Sequence, residues 1–375
     1  MKPHQKNQPL LYVPFQRRPK DGIEKMAMCG NYFYISSFPN FLQELKIAVN
    51  ERRIHYPKRI ASYPEIASYH KNELMKEISE IMPYFYPLRK FQIGFYHLDA
   101  VFQNRKVSEK ARSKILKRMQ KLQTLSIYFG YQFWSTKKVD KEILQFSKLS
   151  WFNMRQQLSC LQRLEITVCQ PRVSPLWPRT FIRELRGQYI RLKALSLSFV
   201  DWSMFTDQDL NLLIQEIFSQ FQNLGELHLH FRRCHSIPCQ YLAFFEKGQE
   251  ILKLSKLTLD FEGMRIGDRS LNVLAGQIYF MKMSLKELSL RFKNCQEITS
   301  LGLTFLSENC LQYLGDLDRL SLNFNDSGGI TNEGLFALSK IGLVNLKNLK
   351  ELNLCFENNN EIGDGGIRTL SVSLV

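Results

Sequence analysis

Long apolar runs are missing from this chain. No stretch of its 375 residues approaches the ~18–20 consecutive apolar positions that a membrane-spanning helix needs. The opening segment, MKPHQKNQPLLYVPFQRRPK, lacks the continuous apolar core of a secretory leader, and Pro3, Pro9 and Pro14 break any amphipathic transit helix. A CxxC pair is also missing. The eight cysteines are mostly far apart, which suits reduced thiols in an intracellular protein, cytoplasmic or alternatively nuclear, better than a disulfide framework. P-loop, GxSxG, HExxH and kinase signatures are absent, as is any carboxylate pair whose spacing forces proximity. The reading is therefore a non-enzyme with no cofactor and no membrane partner.

Acidic residues are scarce in the first half. Residues 1–200 hold 35 Lys+Arg against 14 Asp+Glu, whereas residues 201–375 hold 16 against 21. The two halves present opposite fields, and a basic surface of this kind suits an acidic partner.

What the chain has in abundance is one recurring phrase. The pattern L-x-x-L-x-[LI]-x-[FV] occurs at Leu122, Leu161, Leu192, Leu224, Leu254, Leu285, Leu317 and Leu349, with degenerate copies at Leu42 and Leu88. From Leu161 the intervals are 31, 32, 30, 31, 32 and 32 residues, a near-constant period that predicts a solenoid. The alternation at the end of each phrase predicts a short strand with one buried face. A second phrase, I-[TG]-x-x-G-[LI]-x-x-[LF], follows at Ile298, Ile330 and Ile362, with a looser copy at Ile266. Its paired apolar residues share a helical face, Thr299 and Thr331 are suitable N-caps, and its glycine suits close helix approach. One such unit cannot cover its own apolar face, so neighbours must stack.

These phrases resemble the leucine-rich repeat family over roughly residues 40–375, and the period of about 31 residues is closest to its ribonuclease-inhibitor-like subclass. The resemblance implies an α/β fold: a leucine-rich repeat solenoid of about ten units, with a curved parallel sheet on the concave side and helices on the convex side. The unit with Asn294, Cys295, Ile298, Thr299, Gly302, Leu303, Leu306 and Cys310 also resembles the cysteine-containing type common in F-box proteins. The family's usual asparagine at the ninth position is filled only by Asn325, with Lys293 and Glu357 at the equivalent places. A packed aromatic spine is expected to stand in place of an asparagine ladder.

Three segments are expected: a basic arm or cap over 1–40, degenerate repeats with insertions over 41–160, and the regular solenoid over 161–375. The apolar end at Val375 is expected to be covered by another chain or to continue beyond this sequence.

Strand positions between the core residues point out of the sheet. Those expected to contact a partner are Tyr128, Glu165, Ser198, His228 and His230, followed by Asp260, Arg291, Asn323 and Asn353. The upper row of the same face is mostly Ser, Thr and Asn and forms a small uncharged floor. The segment HLHFRRCHSIPC concentrates His228, His230, Cys234, His235 and Cys239, residue types that bind zinc, although C-H-x3-C is not a standard ligand spacing. The helix-patterned segment 104–122 carries Arg105, Lys106, Lys110 and Arg112, then Lys114, Lys117, Arg118 and Lys121 on its outer face, suited to an acidic protein or phosphates. No aromatic residues interleave with them to stack bases.

By resemblance, the expected function is a protein-binding scaffold or adaptor acting through the concave face or its rim. Two alternatives stand beside it. One is substrate recognition within a ubiquitin ligase, from the Cys295/Cys310 unit; the other is a ribonucleoprotein subunit gripped through the basic half.

Overall fold

The computed structural model describes residues 44–47, 90–94, 122–129, 160–169, 191–201, 206–221, 223–234 and 253–373. The chain divides into two compact units, Met1–Tyr128 with Phe152–Leu161, and Phe129–Trp151 with Gln162–Val375. In the first unit, β1 (Glu44–Ile47), β2 (Lys90–Gly94) and β3 (Thr124–Phe129) pair in parallel and in sequence order. The basic segment 104–121 lies outside the described residues.

The second unit is a parallel α/β array. Its strands are β4 (Arg163–Cys169), β5 (Ala194–Val200), β6 (Glu226–Arg232), β7 (Lys256–Asp260), β8 (Glu287–Arg291), β9 (Arg319–Asn323) and β10 (Glu351–Cys355). Each pairs with the next, and the register places every second leucine of the phrase beside its equivalent: Leu195, Leu227, Leu257, Leu288, Leu320, Leu352. Helices α1 (Asp207–Gln220), α2 (Asp268–Tyr279), α3 (Ser300–Asn309), α4 (Asn332–Ala337) and α5 (Asp364–Ser373) connect or follow these strands. Crossovers between parallel neighbours are right-handed as a rule, which places the described helices on one side of the sheet. The core lies between, and Leu288, Leu290, Leu303 and Leu306 are at most 1% exposed.

Three lateral ladders tie the repeats of the second unit together. The aromatic spine is present: Phe199, Phe231, Phe261, Phe292, Phe324 and Phe356 stack with successive centroid separations of 5.4, 5.9, 5.8, 5.3 and 5.8 Å. It does not replace a polar ladder, as expected from the sequence, but stands beside one. Three residues beyond the aromatic position, Cys234, Cys295, Ser327 and Asn359 donate to the carbonyls of Phe199, Phe261, Phe292 and Phe324. The ladder sits at the eleventh position of each phrase, two beyond the ninth position considered from the sequence.

Between spine and ladder the backbone turns sharply. Asp201, Arg233, Gly263, Asn294, Asp326 and Asn358 all have φ between 53° and 69°, and the Asp326 turn adds a second such residue, Gly328, at 67°. Asn, Asp and Gly tolerate this left-handed conformation best, which explains their recurrence and makes Arg233 the costly member.

The third ladder links helix N-termini. Thr299 and Thr331 cap their own helices as expected, accepting from Leu301 and Glu333 N–H. The first residue of α2, α3 and α4 also reaches into the next repeat. Asp268 accepts from Thr299 N–H at 2.8 Å, and Ser300 Oγ accepts from Thr331 and Gly334 N–H at 2.9 and 3.1 Å. The phrase glycines permit this: a Cβ on Gly302 would lie 2.5 Å from Asp268 Oδ1, and one on Gly334 would lie 3.0 Å from Ser300 Oγ. Helix α1 was not anticipated from the repeat phrase. Its signal was a capping box, Thr206 with Asp209, ahead of Leu210, Leu213, Ile214 and Ile217 at helical spacing.

No described helix is long and apolar enough to cross a membrane.

Candidate functional site on the open sheet face

The face of the sheet away from the helices carries the strand residues that alternate with the buried leucines. Consecutive strands lie ~4.8 Å apart, and three of the resulting rows have distinct chemistry.

The outermost row precedes the second leucine of each phrase, and its charges alternate. Lys256 pairs with Glu287 at 2.7 Å, Arg319 with Glu287 at 2.6 Å, and Arg319 with Glu351 at 3.2 Å. On β4–β6, Arg163 spans the buried Ala194 to reach Glu226. This row neutralises itself. It was missed at the sequence level, although the signal was legible as KLTL, ELSL, RLSL and ELNL.

The next row is Thr258, Ser289, Ser321 and Asn353, in register across β7–β10, with His228 at its β6 end. Together with the charged row it lines a groove of about 600 Å³. The hydroxyls of Thr258, Ser289 and Ser321 make no hydrogen bond within the described residues, and they line the groove unspent. Asn353 has only a long contact from Cys355 Sγ, at 3.5 Å.

The third row is His230, Asp260, Arg291 and Asn323. The structure brings the first three together around one carboxylate. Asp260 is 2% exposed although it occupies an outward strand position. It accepts from Arg232 Nε and Nη2 at 2.9 and 2.8 Å, lies 3.4 Å from His230 Nδ1 and 3.8 Å from Arg291 Nη1, and takes the Glu262 N–H at 3.2 Å. Burial by itself would raise its pKa. The hydrogen bonds from His230 and Arg232 and the charges of Arg232 and Arg291 outweigh that, so the carboxyl titrates below the ordinary aspartate range. Asn323 is also engaged, its Oδ1 accepting from Asn325 N–H at 3.1 Å. This row is a fixed wall rather than an open strip, and Arg291 is its exposed member.

Of the other expected contact residues, Glu165 and Ser198 are half-buried on β4 and β5, and Tyr128 lies on β3 in the first unit. His228 is half-buried. Burial is the main reason its pKa falls, followed by the charges of Lys256 and His230; Glu226, 3.7 Å away, opposes them. The histidine–cysteine segment does not converge within the described residues. Cys234 is fully buried against the Phe199 carbonyl, whereas His228 and His230 project from the open face, and His235 and Cys239 lie outside the described residues. Cys295 and Cys310 are core residues, and burial pushes the Cys295 thiol up to about 12.

No family model and no curated protein matches the chain. Among solved structures it is similar to a chain in the crystal structure of the Rad7 and Elc1 complex in yeast, at 19% sequence identity and a TM-score of 0.44, over 80% of this chain and 67% of that one.

Proposed function

We propose that this chain is a leucine-rich repeat protein whose open sheet face holds a protein partner, and that its role is non-catalytic scaffolding or adaptor binding. One observation carries the reading: three hydroxyls in register, unpartnered, on the floor of a groove whose charged wall satisfies itself. Unspent hydrogen-bonding groups on a rigid floor are what a bound segment uses, because they gain partners without losing internal ones. A catalytic use lacks support from the same geometry. His228 turns its Nε2 toward Glu226, and no floor hydroxyl bonds to a histidine that would act as its base.

The two cysteines of the unit resembling the F-box type serve packing here, so that likeness lies in the core and does not bear on a ligase role. The test is affinity purification from native extract, with nuclease, comparing the wild-type chain with a Ser289→Tyr variant that fills the groove. Proteins retained by the wild type and lost by the variant support the reading. Identical retention by both contradicts it.

A further inference from the structure

Arg291 lies on the row beside the groove, two residues beyond the lining Ser289, and differs from Lys256, Arg319 and Arg232 on the same face. Lys256 and Arg319 are engaged by carboxylates at 2.6–3.2 Å, and Arg232 is committed to Asp260 through two hydrogen bonds. The Arg291 side chain makes no hydrogen bond among the described residues. Its one ion pair is the 3.8 Å approach to an Asp260 oxygen that already accepts from Arg232, and its side chain is 45% exposed. Asp260 and the adjoining β9 residue Asn323 are both spoken for, so neither can draw the guanidinium away from solvent. Its planar fork of five donors therefore stays exposed on the row next to the groove floor.

The floor adds a second, independent observation. Ser289 sits two residues before Arg291 on β8, on the same face and ~6–7 Å along the strand. Thr258 and Ser321 flank it on β7 and β9. Three hydroxyls ~4.8 Å apart span ~10 Å, the length of about three extended residues. From this geometry we infer that the groove takes an extended peptide segment bearing an acidic side chain, whose carboxylate forms the two-pronged pair with Arg291 while its main chain bonds to Thr258, Ser289 and Ser321. The occupant is an Asp- or Glu-containing segment of a protein partner. The charged row on the far wall, neutral overall, leaves Arg291 to decide the sign of what binds. This inference rests on the proposed function and names its partner's chemistry.

The test is selection of a random dodecapeptide library on the full chain. Enriched peptides are then measured against the wild type, Arg291→Gln, Arg291→Lys and the groove-filling Ser289→Tyr. The expected result is peptides with a central Asp or Glu. Their affinity drops about tenfold in Arg291→Gln, less in Arg291→Lys, which keeps the charge but not the fork, and vanishes in Ser289→Tyr. Exchanging the peptide's Glu for Gln reproduces the loss on the wild type and changes little on Arg291→Gln. Peptides blocked by Ser289→Tyr but indifferent to Arg291 overturn the acidic assignment and leave the groove standing. Phosphoserine peptides that bind about tenfold tighter than Glu peptides also overturn it. If no selected peptide is blocked by Ser289→Tyr, the inference and the proposed function fall together.

Discussion

Asn332, the first residue of α4, caps the helix of the next unit: its Oδ1 accepts from the Gly363 and Gly366 N–H groups at 2.9 and 3.1 Å. Gly363 has no side chain with which to cap α5, so the neighbouring unit supplies the oxygen. Replacing Asn332 with Ala is expected to cost about 1–2 kcal/mol, and replacing it with Asp to cost much less. Urea unfolding of the three proteins measures both.

The glycines divide by what lies beyond them. A Cβ on Gly302 would lie 2.5 Å from Asp268 Oδ1 and 3.1 Å from Leu271 Cδ2, whereas one on Gly276, inside α2, meets nothing within 4 Å. Gly302→Ala is expected to destabilise by about 1–3 kcal/mol and Gly276→Ala to stabilise by up to about 1 kcal/mol, as helix propensity alone dictates. Opposite shifts in melting temperature are the readout.

Phe292 is fully buried and stacks on Phe261 and Phe324. Phe292→Ala opens the spine in the middle of the array and is expected to cost about 3–5 kcal/mol. Cys295, beside it, holds the Phe261 carbonyl at 3.2 Å. Cys295→Ser keeps that bond, as the equivalent Ser327 does toward Phe292, and is expected to be milder than Cys295→Val, which leaves the carbonyl only the Met264 N–H at 3.2 Å and costs about 1 kcal/mol. With its thiol raised to about 12, Cys295 is expected to resist thiol reagents at neutral pH until the chain unfolds.

Acid sensitivity has two sources with the same sign. Asp260 and His228 both have depressed pKa values in the fold. Each therefore contributes stability that is complete above its unfolded-state value and is lost as pH falls through the folded one. The His228 contribution begins to fall below about pH 6.5 and that of Asp260 below about pH 4. His228→Gln is expected to flatten the stability profile at mildly acidic pH and leave the steeper acid limb, while Asp260→Asn flattens that limb. Denaturation midpoints recorded from pH 7 to 3 separate them.

Much of the fold was legible because burial imposes period. The leucines of LKELSL and LDRLSL, the capping threonines and the phrase glycines all sit where the repeat placed them. The Asp260 cluster was not legible, because strand alternation reads position 260 as exposed. Only the three-dimensional neighbours Arg232 and His230 close over it. The polar ladder was hidden for a different reason: Cys, Ser and Asn share one slot, so no single letter recurs. For the groove, the sequence identified a small polar floor but favoured the adjoining row. Which hydroxyls lack partners depends on hydrogen bonds that no residue pattern contains.

The most direct measurement places a photo-crosslinking amino acid at Ser289 on the groove floor and, separately, at Met283, 81% exposed and away from the groove. Irradiation in native extract is then followed by identification of the adducts. The predicted result is a discrete protein adduct from position 289, competed by peptides selected on the groove and absent from position 283. Equal adducts from both positions, or none from 289 while the chain still retains partners, would contradict a partner-binding role for the groove.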